Sequence, residues 1–278
     1  MTIASFPGAL PLPDDLAEAW HRVTPQRHLL GSSTLYFETT GSTNDVAAHV
    51  AASGACEGLV VVAASQTNGR GRRGRRWFSP PGAGLYVSVV MMPSRAAHAP
   101  DRATSLLTIT AGVALAEGVE RATGLGADIK WPNDLLVGRR KLAGILAEGV
   151  SAPGHPSLQA VVLGYGINVQ GASYPPELAD RVTALETELG RPVDRGVLFA
   201  ETLAALDRRY RDLVGGAYDA ILDAWRRRAP GSRQARVNWD APSGLRHGTT
   251  VDIDASGALI VQTEQGLEHL TAGEVRWD

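Results

Sequence analysis

Gly69-Arg70-Gly71-Arg72-Arg73-Gly74-Arg75-Arg76-Trp77 places five arginines and three glycines in the eight residues before an aromatic side chain. The reading of this stretch decides between two architectures. It matches G-x-G-x-x-G and follows an apolar strand, Leu59 to Ala64, as the phosphate-binding turn of a doubly wound α/β domain does. Such a turn, however, runs directly into an amphipathic helix and later meets an acidic residue. Here Trp77-Phe78-Ser79-Pro80-Pro81 breaks the chain, and the next strand, Gly84 to Met92, ends in Met-Pro-Ser-Arg. The stretch is therefore a basic loop. Glycine weakens helix and strand alike and crowded guanidiniums repel, so the loop is expected to be mobile until a phosphate or carboxylate orders it. A solvated basic turn is the plain alternative.

Outward from the loop, Thr34 to Glu38 reads as a strand, and Gly41-Ser42-Thr43-Asn44-Asp45 opens a helix to about Ala52 with Ser42 or Thr43 as N-cap. Asp101 to Thr123 has the apolar spacing of a core helix. Four strand-like pieces follow: Ala127 to Trp131, Asp134 to Val137, Lys141 to Val150 and Leu158 to Val169. Sequential strands without intervening helices favour antiparallel or mixed pairing, so the fold class is α+β. Asp194 to Val214 and Ala217 to Ala229 are helical. From Pro230 the chain turns into short strands, Gln234 to Trp239, Thr249 to Asp254, Ala258 to Thr263 and Gly266 to Leu270, the pattern of a small five-stranded SH3-like barrel. At the front, residues 1 to 13 are Pro-rich and read as loose, and Asp14 to Val23 is a helix too isolated to make a helix-turn-helix domain. The domain division expected is 1–33 extension, 34–229 main domain, 230–278 barrel.

The 278 residues carry a net charge of -2, so the basic loop is a local feature and general nucleic-acid or membrane-surface affinity is not expected. The single cysteine, Cys56, excludes an internal disulfide, and seven histidines without metal spacing speak against zinc catalysis. No membrane span or secretory leader is read, and a cytoplasmic location is expected. Of 27 basic residues only Lys130 and Lys141 are lysines. Guanidinium is a broad planar fork and ammonium a compact charge, so the two positions that keep lysine are candidates for sites needing a point charge.

Three further segments carry chemistry. Lys130-Trp131-Pro132-Asn133-Asp134 places a cation, an amide and a carboxylate at a strand end. Arg140-Lys141-Leu142-Ala143-Gly144-Ile145-Leu146 starts a strand with the second lysine. Gly164-x-Gly166-Ile-Asn168 allows close backbone approach to a ligand. With Ser42-Thr43-Asn44, Gln66 and the loop, these segments closely resemble the biotin–protein ligase family, whose S-T-N, Q-x-x-G-R-G-R-x-G-R-x-W, K-W-P-N-D, R-K-x-x-G-I-L-x-E and G-x-G-I-N motifs occur here in order. The similarity extends through Gly248 to Val261 and Gly273-Glu274-Val275.

The resemblance implies a class II synthetase-like catalytic fold and a two-step acyl transfer. Biotin is activated by ATP to biotinyl-adenylate, with Mg²⁺ neutralising the pyrophosphate, and passed to a lysine of a biotin carboxyl carrier domain. It puts Ser42, Thr43, Asn44, Gln66, Gly69, Arg70, Gly71 and Arg72 around biotin and its acyl phosphate, and Lys141 at the carboxylate and α-phosphate. Trp77 is expected on adenine, Lys130, Asn133 and Asn168 near nucleotide or metal, and Gly144, Gly164 and Gly166 in the binding floor. Lys141 and Arg72 are the candidate catalytic cations, and Asp134 is expected to orient Lys141 or ease deprotonation of the incoming lysine; as plain sequence it is equally a turn residue. No metal ligands are assigned. A monomer or homodimer without regulatory DNA binding is expected. The alternatives are a lipoate or octanoate ligase or transferase of the same fold, and a non-enzymatic nucleic-acid binder using the arginine loop.

Overall fold

The computed structural model describes residues 6–23, 29–54, 57–152, 155–171, 174, 176–242 and 244–277. Cys56 lies outside the described residues. The chain runs α1 (Asp14–Val23), β1 (Ser33–Thr40), α2 (Thr43–Ala52), β2 (Leu59–Gln66), β3 (Gly84–Met91), α3 (Pro100–Thr123), β4 (Asp128–Lys130), β5 (Asp134–Val137), β6 (Arg140–Ala152) and β7 (His155–Asn168). Then come α4 (Pro176–Ala179), α5 (Leu185–Leu189), α6 (Arg195–Val214), α7 (Tyr218–Arg228), β8 (Arg236–Ala241), β9 (Gly244–Ile253), β10 (Leu259–Thr263), β11 (Gly266–Leu270) and β12 (Val275–Trp277).

Strands β1 to β7 form one mixed sheet in the order β1-β2-β3-β7-β6-β5-β4. Only β1 and β2 are parallel, joined through α2, and every other neighbour is antiparallel. This is the α+β sheet expected from strands that follow one another without helices. Its central strands are apolar on both faces because both are covered. Val60, Val62, Leu85, Val87 and Val89 face a large core shared with α3 and α6, while Leu59, Val61, Ala63 and Val90 face a smaller one under α2.

Among the described residues at the front, the chain is tied down at Leu10 and α1. Leu10 bridges Tyr36, its N–H donating to the Tyr36 carbonyl at 2.9 Å. Leu16, Ala19 and Trp20 bury the apolar stripe of α1 in the main core. The last five strands form a second, antiparallel sheet, β11-β10-β9-β8-β12. Its fifth member is β12, paired with β8. Val237, Trp239, Ile253, Leu259, Val261 and Val275 from this sheet belong to the same buried cluster as α3 and α6. The Trp131 indole N–H reaches across to the Gly257 carbonyl at 3.0 Å.

Candidate active site

Register alone builds the floor of a site on the α2 face of the large sheet. Ser88 of β3 pairs with Gly164 of β7, which pairs with Leu146 of β6, and one step along, Tyr86, Gly166 and Gly144 line up in the same way. Residues directly opposite share a face, so the two glycines of Gly164-x-Gly166 and Gly144 form a shallow patch in an otherwise bulky sheet. Above it lies a cavity of about 650 Å³. Its wall includes Ser42, Thr43, Asn44, Gln66, Arg70, Gly71, Arg72, Trp77, Lys130, Asn133, Asp134, Lys141, Gly144, Gly164, Gly166 and Asn168.

Every residue expected at the site is therefore gathered there except Gly69. That glycine is buried beneath the loop, where a methyl group would sit 2.7 Å from Ser79 Oγ and 3.0 Å from Gln66 Nε2. The floor glycines admit the protein's own side chains. A methyl at Gly164 would overlap the Asn44 amide oxygen, and one at Gly166 would lie 2.6 Å from Trp77 Cε2. At Gly144 it would meet Trp77 Cζ3 at 2.9 Å and Lys141 Nζ at 3.1 Å. The close approach anticipated for a ligand is thus made first by Asn44 and Trp77.

The arginine loop differs from its expectation as well. Rather than repelling one another in a free coil, its guanidiniums are distributed over separate partners. Arg70 pairs with Asp45 at 2.5 Å and with Glu148 at 2.7 Å. Arg75 pairs with Glu274 at 2.7 Å, and Arg76 donates to the Thr67 carbonyl at 2.6 Å. The turn closes through Gly71 N–H to the Arg75 carbonyl and Trp77 N–H to the Gly69 carbonyl, with Arg73 in the left-handed region at φ 58°. Arg70 is thereby committed to carboxylates, its pKa raised chiefly by the hydrogen bond to Asp45. Arg72 is the loop cation that turns inward: half-buried, it donates to Asn133 Oδ1 at 3.0 Å, and burial lowers its pKa.

Lys141 Nζ lies 2.7 Å from Asp134 Oδ1 and 5.3 Å from the Trp77 ring. Its backbone is clamped on an edge the sequence did not mark. Lys141 N–H donates to the Arg181 carbonyl, Thr183 N–H donates to the Lys141 carbonyl, and the Asn168 amide donates to the Thr183 carbonyl at 2.9 Å. Asn133 Nδ2 donates to the Ile145 carbonyl at 2.7 Å, which leaves its oxygen for Arg72. Lys130 sits near the second sheet, 5.7 Å above the Trp277 ring. Burial lowers its pKa against the pull of Asp134 and Glu274.

The opposite end of the cavity is neutral. Ser42 is the N-cap residue of α2, with extended backbone and no side-chain cap bond. The Thr43 N–H that a helix start would offer a ligand is taken by Gln66 Oε1 at 2.9 Å. Gln66 Nε2 donates in turn to Ser79 Oγ at 2.9 Å. Four residues given no role from sequence contribute: Ser79 and Ser88 behind the wall, Glu148, the last residue of the R-K-x-x-G-I-L-x-E motif, under Asn44, and Glu274 just before β12. Ser88 and Glu148 had a signal, each being a polar residue in phase with the inward positions of an apolar strand. Glu274 stood within the Gly273-Glu274-Val275 similarity, but only the packing of the second sheet brings it to the loop.

This fold is shared with solved biotin protein ligases. The Biotin/lipoate A/B protein ligase family matches residues 36–168, and the Biotin protein ligase C terminal domain matches residues 245–276. The bifunctional ligase/repressor BirA of Bacillus subtilis is 33% identical over 268 residues, covering 95% of this chain and 79% of that protein. The biotin–[acetyl-CoA-carboxylase] ligase of Mycobacterium tuberculosis is 33% identical over 251 residues, 85% of each. The biotin protein ligase of Aquifex aeolicus in complex with biotin and ATP shares the fold, with a TM-score of 0.76, 24% identity and coverage of 89% of this chain and 99% of that one. The chain belongs to the biotin–protein ligase family.

Proposed function

We propose that the protein is an ATP-dependent biotin–protein ligase that makes biotinyl-5'-AMP and transfers biotin to a lysine of a biotin carboxyl carrier domain. The observation that carries this reading is the polarity of the cavity described above. One end holds the inward cations Lys141 and Arg72, and the other is a neutral hydrogen-bonding wall of Ser42, Thr43, Asn44 and Gln66. A molecule with a carboxylate at one end and a cyclic urea at the other fits that division.

In the first step a biotin carboxylate oxygen attacks the α-phosphorus of ATP, the bond to the β-phosphate oxygen breaks, and pyrophosphate leaves. Two anions must approach each other, and fixed cations lower that cost and stabilise the charge of the transition state. Lys141 is held for this by Asp134 and by its clamped peptide, and Arg72 by Asn133. Trp77, seated on Gly144 and Gly166, offers an aromatic surface to adenine. In the second step the acceptor amine attacks the acyl carbon, AMP leaves, and the amine gives up a proton; of the carboxylates lining the cavity, Asp134, 2.7 Å from Lys141, is the one we assign to easing that loss. No nucleophile of the protein is needed.

Magnesium fits as an ion held mainly by phosphate and water, with Asp134 and the Asn168 amide oxygen as protein oxygens in reach; when bound it neutralises the leaving pyrophosphate. Among the described residues no cluster of three or more His, Cys, Asp or Glu offers a dedicated cage. The helix before β1 is packed into the core, so we propose no DNA-reading role for it. We also propose the division 1–33, 34–229 and 230–278, the last unit completing the site through Glu274, Arg276 and Trp277. The test is ATP–pyrophosphate exchange with and without biotin, and with lipoate in its place. Exchange that depends on biotin supports the reading; exchange with lipoate and not biotin refutes it.

A further inference from the structure

Behind the neutral wall lies a carboxylate that never touches the cavity. Glu148 is on β6 with its side chain 30% exposed, and it accepts from Arg70 through Oε1 at 2.7 Å and from the Asn44 amide through Oε2 at 2.8 Å. Asn44 is buried, 4% exposed, and reaches Ser88, which is 0% exposed. An ionised carboxylate only accepts, so Asn44 must present its NH₂ to Glu148 and its oxygen to Ser88. The Ser88 hydroxyl therefore spends its one proton on Asn44 Oδ1, at 2.6 Å. The Ser88 and Thr43 hydroxyls are 2.8 Å apart and Thr43 Oγ1 is 3.2 Å from Gln66 Oε1, so with the Ser88 proton committed the Thr43 hydroxyl has its one proton for those two neighbours. The Gln66 oxygen is already fixed by Thr43 N–H and its NH₂ by Ser79.

We infer that Glu148 is a positioning residue that sets the donor and acceptor pattern of the biotin pocket through Asn44, Ser88 and Thr43. The inference rests on the ligase reading. With the chain polarised from Glu148, a lone pair of Thr43 and the second N–H of Asn44 and of Gln66 remain for a ligand. A cyclic urea has two N–H donors and one carbonyl acceptor, which complements that set. Gly164 is part of the device, because any side chain there would displace the Asn44 amide. Without the carboxylate the Asn44 amide can turn over, since a neutral partner at 148 can either donate or accept; the pocket then presents a mixture of patterns and its affinity for biotin falls while the cations at the far end are untouched.

The experiment measures biotin-dependent ATP–pyrophosphate exchange in the full-length protein for wild type, Glu148→Gln, Glu148→Asp, Ser88→Ala and the Glu148→Gln/Ser88→Ala pair. Glu148→Gln is isosteric and is expected to raise KM for biotin roughly tenfold, with kcat within about twofold and KM for ATP unmoved. Glu148→Asp, still an obligate acceptor, recovers part of the loss. The double variant is no worse than the weaker single one, because both act on the same amide. An unchanged biotin KM in Glu148→Gln, a loss confined to kcat, or additive effects in the double variant overturns the role of Glu148. Absence of biotin-dependent exchange in wild type refutes the ligase reading and this inference with it, whereas wild-type exchange with an unmoved KM in Glu148→Gln refutes the inference alone.

Discussion

Adding one methyl group at Gly166, by Gly166→Ala, perturbs the nucleotide end of the cavity in a way that can be worked out from the structure. The new Cβ would stand 2.6 Å from Cε2 and 3.0 Å from Cζ2 of Trp77. Carbon atoms are comfortable at about 3.5 Å or more, so one of the two must give way by roughly 1 Å. The strand is not free to do so, because Gly166 is paired on both sides, with Tyr86 and with Gly144. The indole must therefore lift into the cavity. Overpacking of this kind costs about 1–3 kcal/mol, or a melting temperature lower by about 2–10 °C. A 1 Å displacement of the surface proposed for adenine should raise KM for ATP roughly tenfold or more.

Gly164→Ala adds the same methyl two residues away but meets Asn44 instead. It should raise KM for biotin and spare KM for ATP. Pyrophosphate exchange, with each substrate varied in turn, reads both constants. If the two variants moved the same constant, or if Gly166→Ala left both the melting temperature and the ATP constant where they were, the division of the cavity would be wrong.

Lys141→Ala should abolish adenylate formation, and Lys141→Arg should retain little, because the wider planar fork misplaces the compact charge now held 2.7 Å from Asp134 Oδ1; near-normal exchange in Lys141→Ala would exclude the role. Arg72→Gly strips the donor from Asn133 and opens the loop, so bound adenylate should escape roughly ten- to a hundredfold faster and label lysine-rich bystander protein, visible on a streptavidin blot with serum albumin. Asp254 gives a pH dependence: burial raises its pKa, but hydrogen bonds from His269, Ser256 and the Ala258 N–H outweigh this and hold it at about 2. A carboxyl with a depressed folded-state pKa stabilises above its unfolded pKa and loses that contribution as pH falls through the folded one. Asp254→Asn should thus cost about 2 kcal/mol near neutral pH, with the difference from wild type fading between about pH 4 and pH 2 in urea titrations.

What the sequence determined by itself is what local chemistry can carry. Continuous apolar runs mark β2, β3 and β7, and the succession of β4 to β7 without intervening helices implies the mixed sheet. Motif order points to the family. Two lysines among 27 basic residues mark Lys130 and Lys141, and the structure places the second against Asp134. Tertiary structure decided the rest, because ion pairing and register act between residues far apart in the chain. Five arginines in a row of glycines look mutually repulsive until Asp45, Glu148 and Glu274, from three distant parts of the chain, are brought around them. The glycines of Gly164-x-Gly166 look like ligand contacts until sheet register seats Asn44 and Trp77 upon them. The orientation of the Asn44 amide depends on a carboxylate 104 residues away in the chain, a relation that only the fold can create.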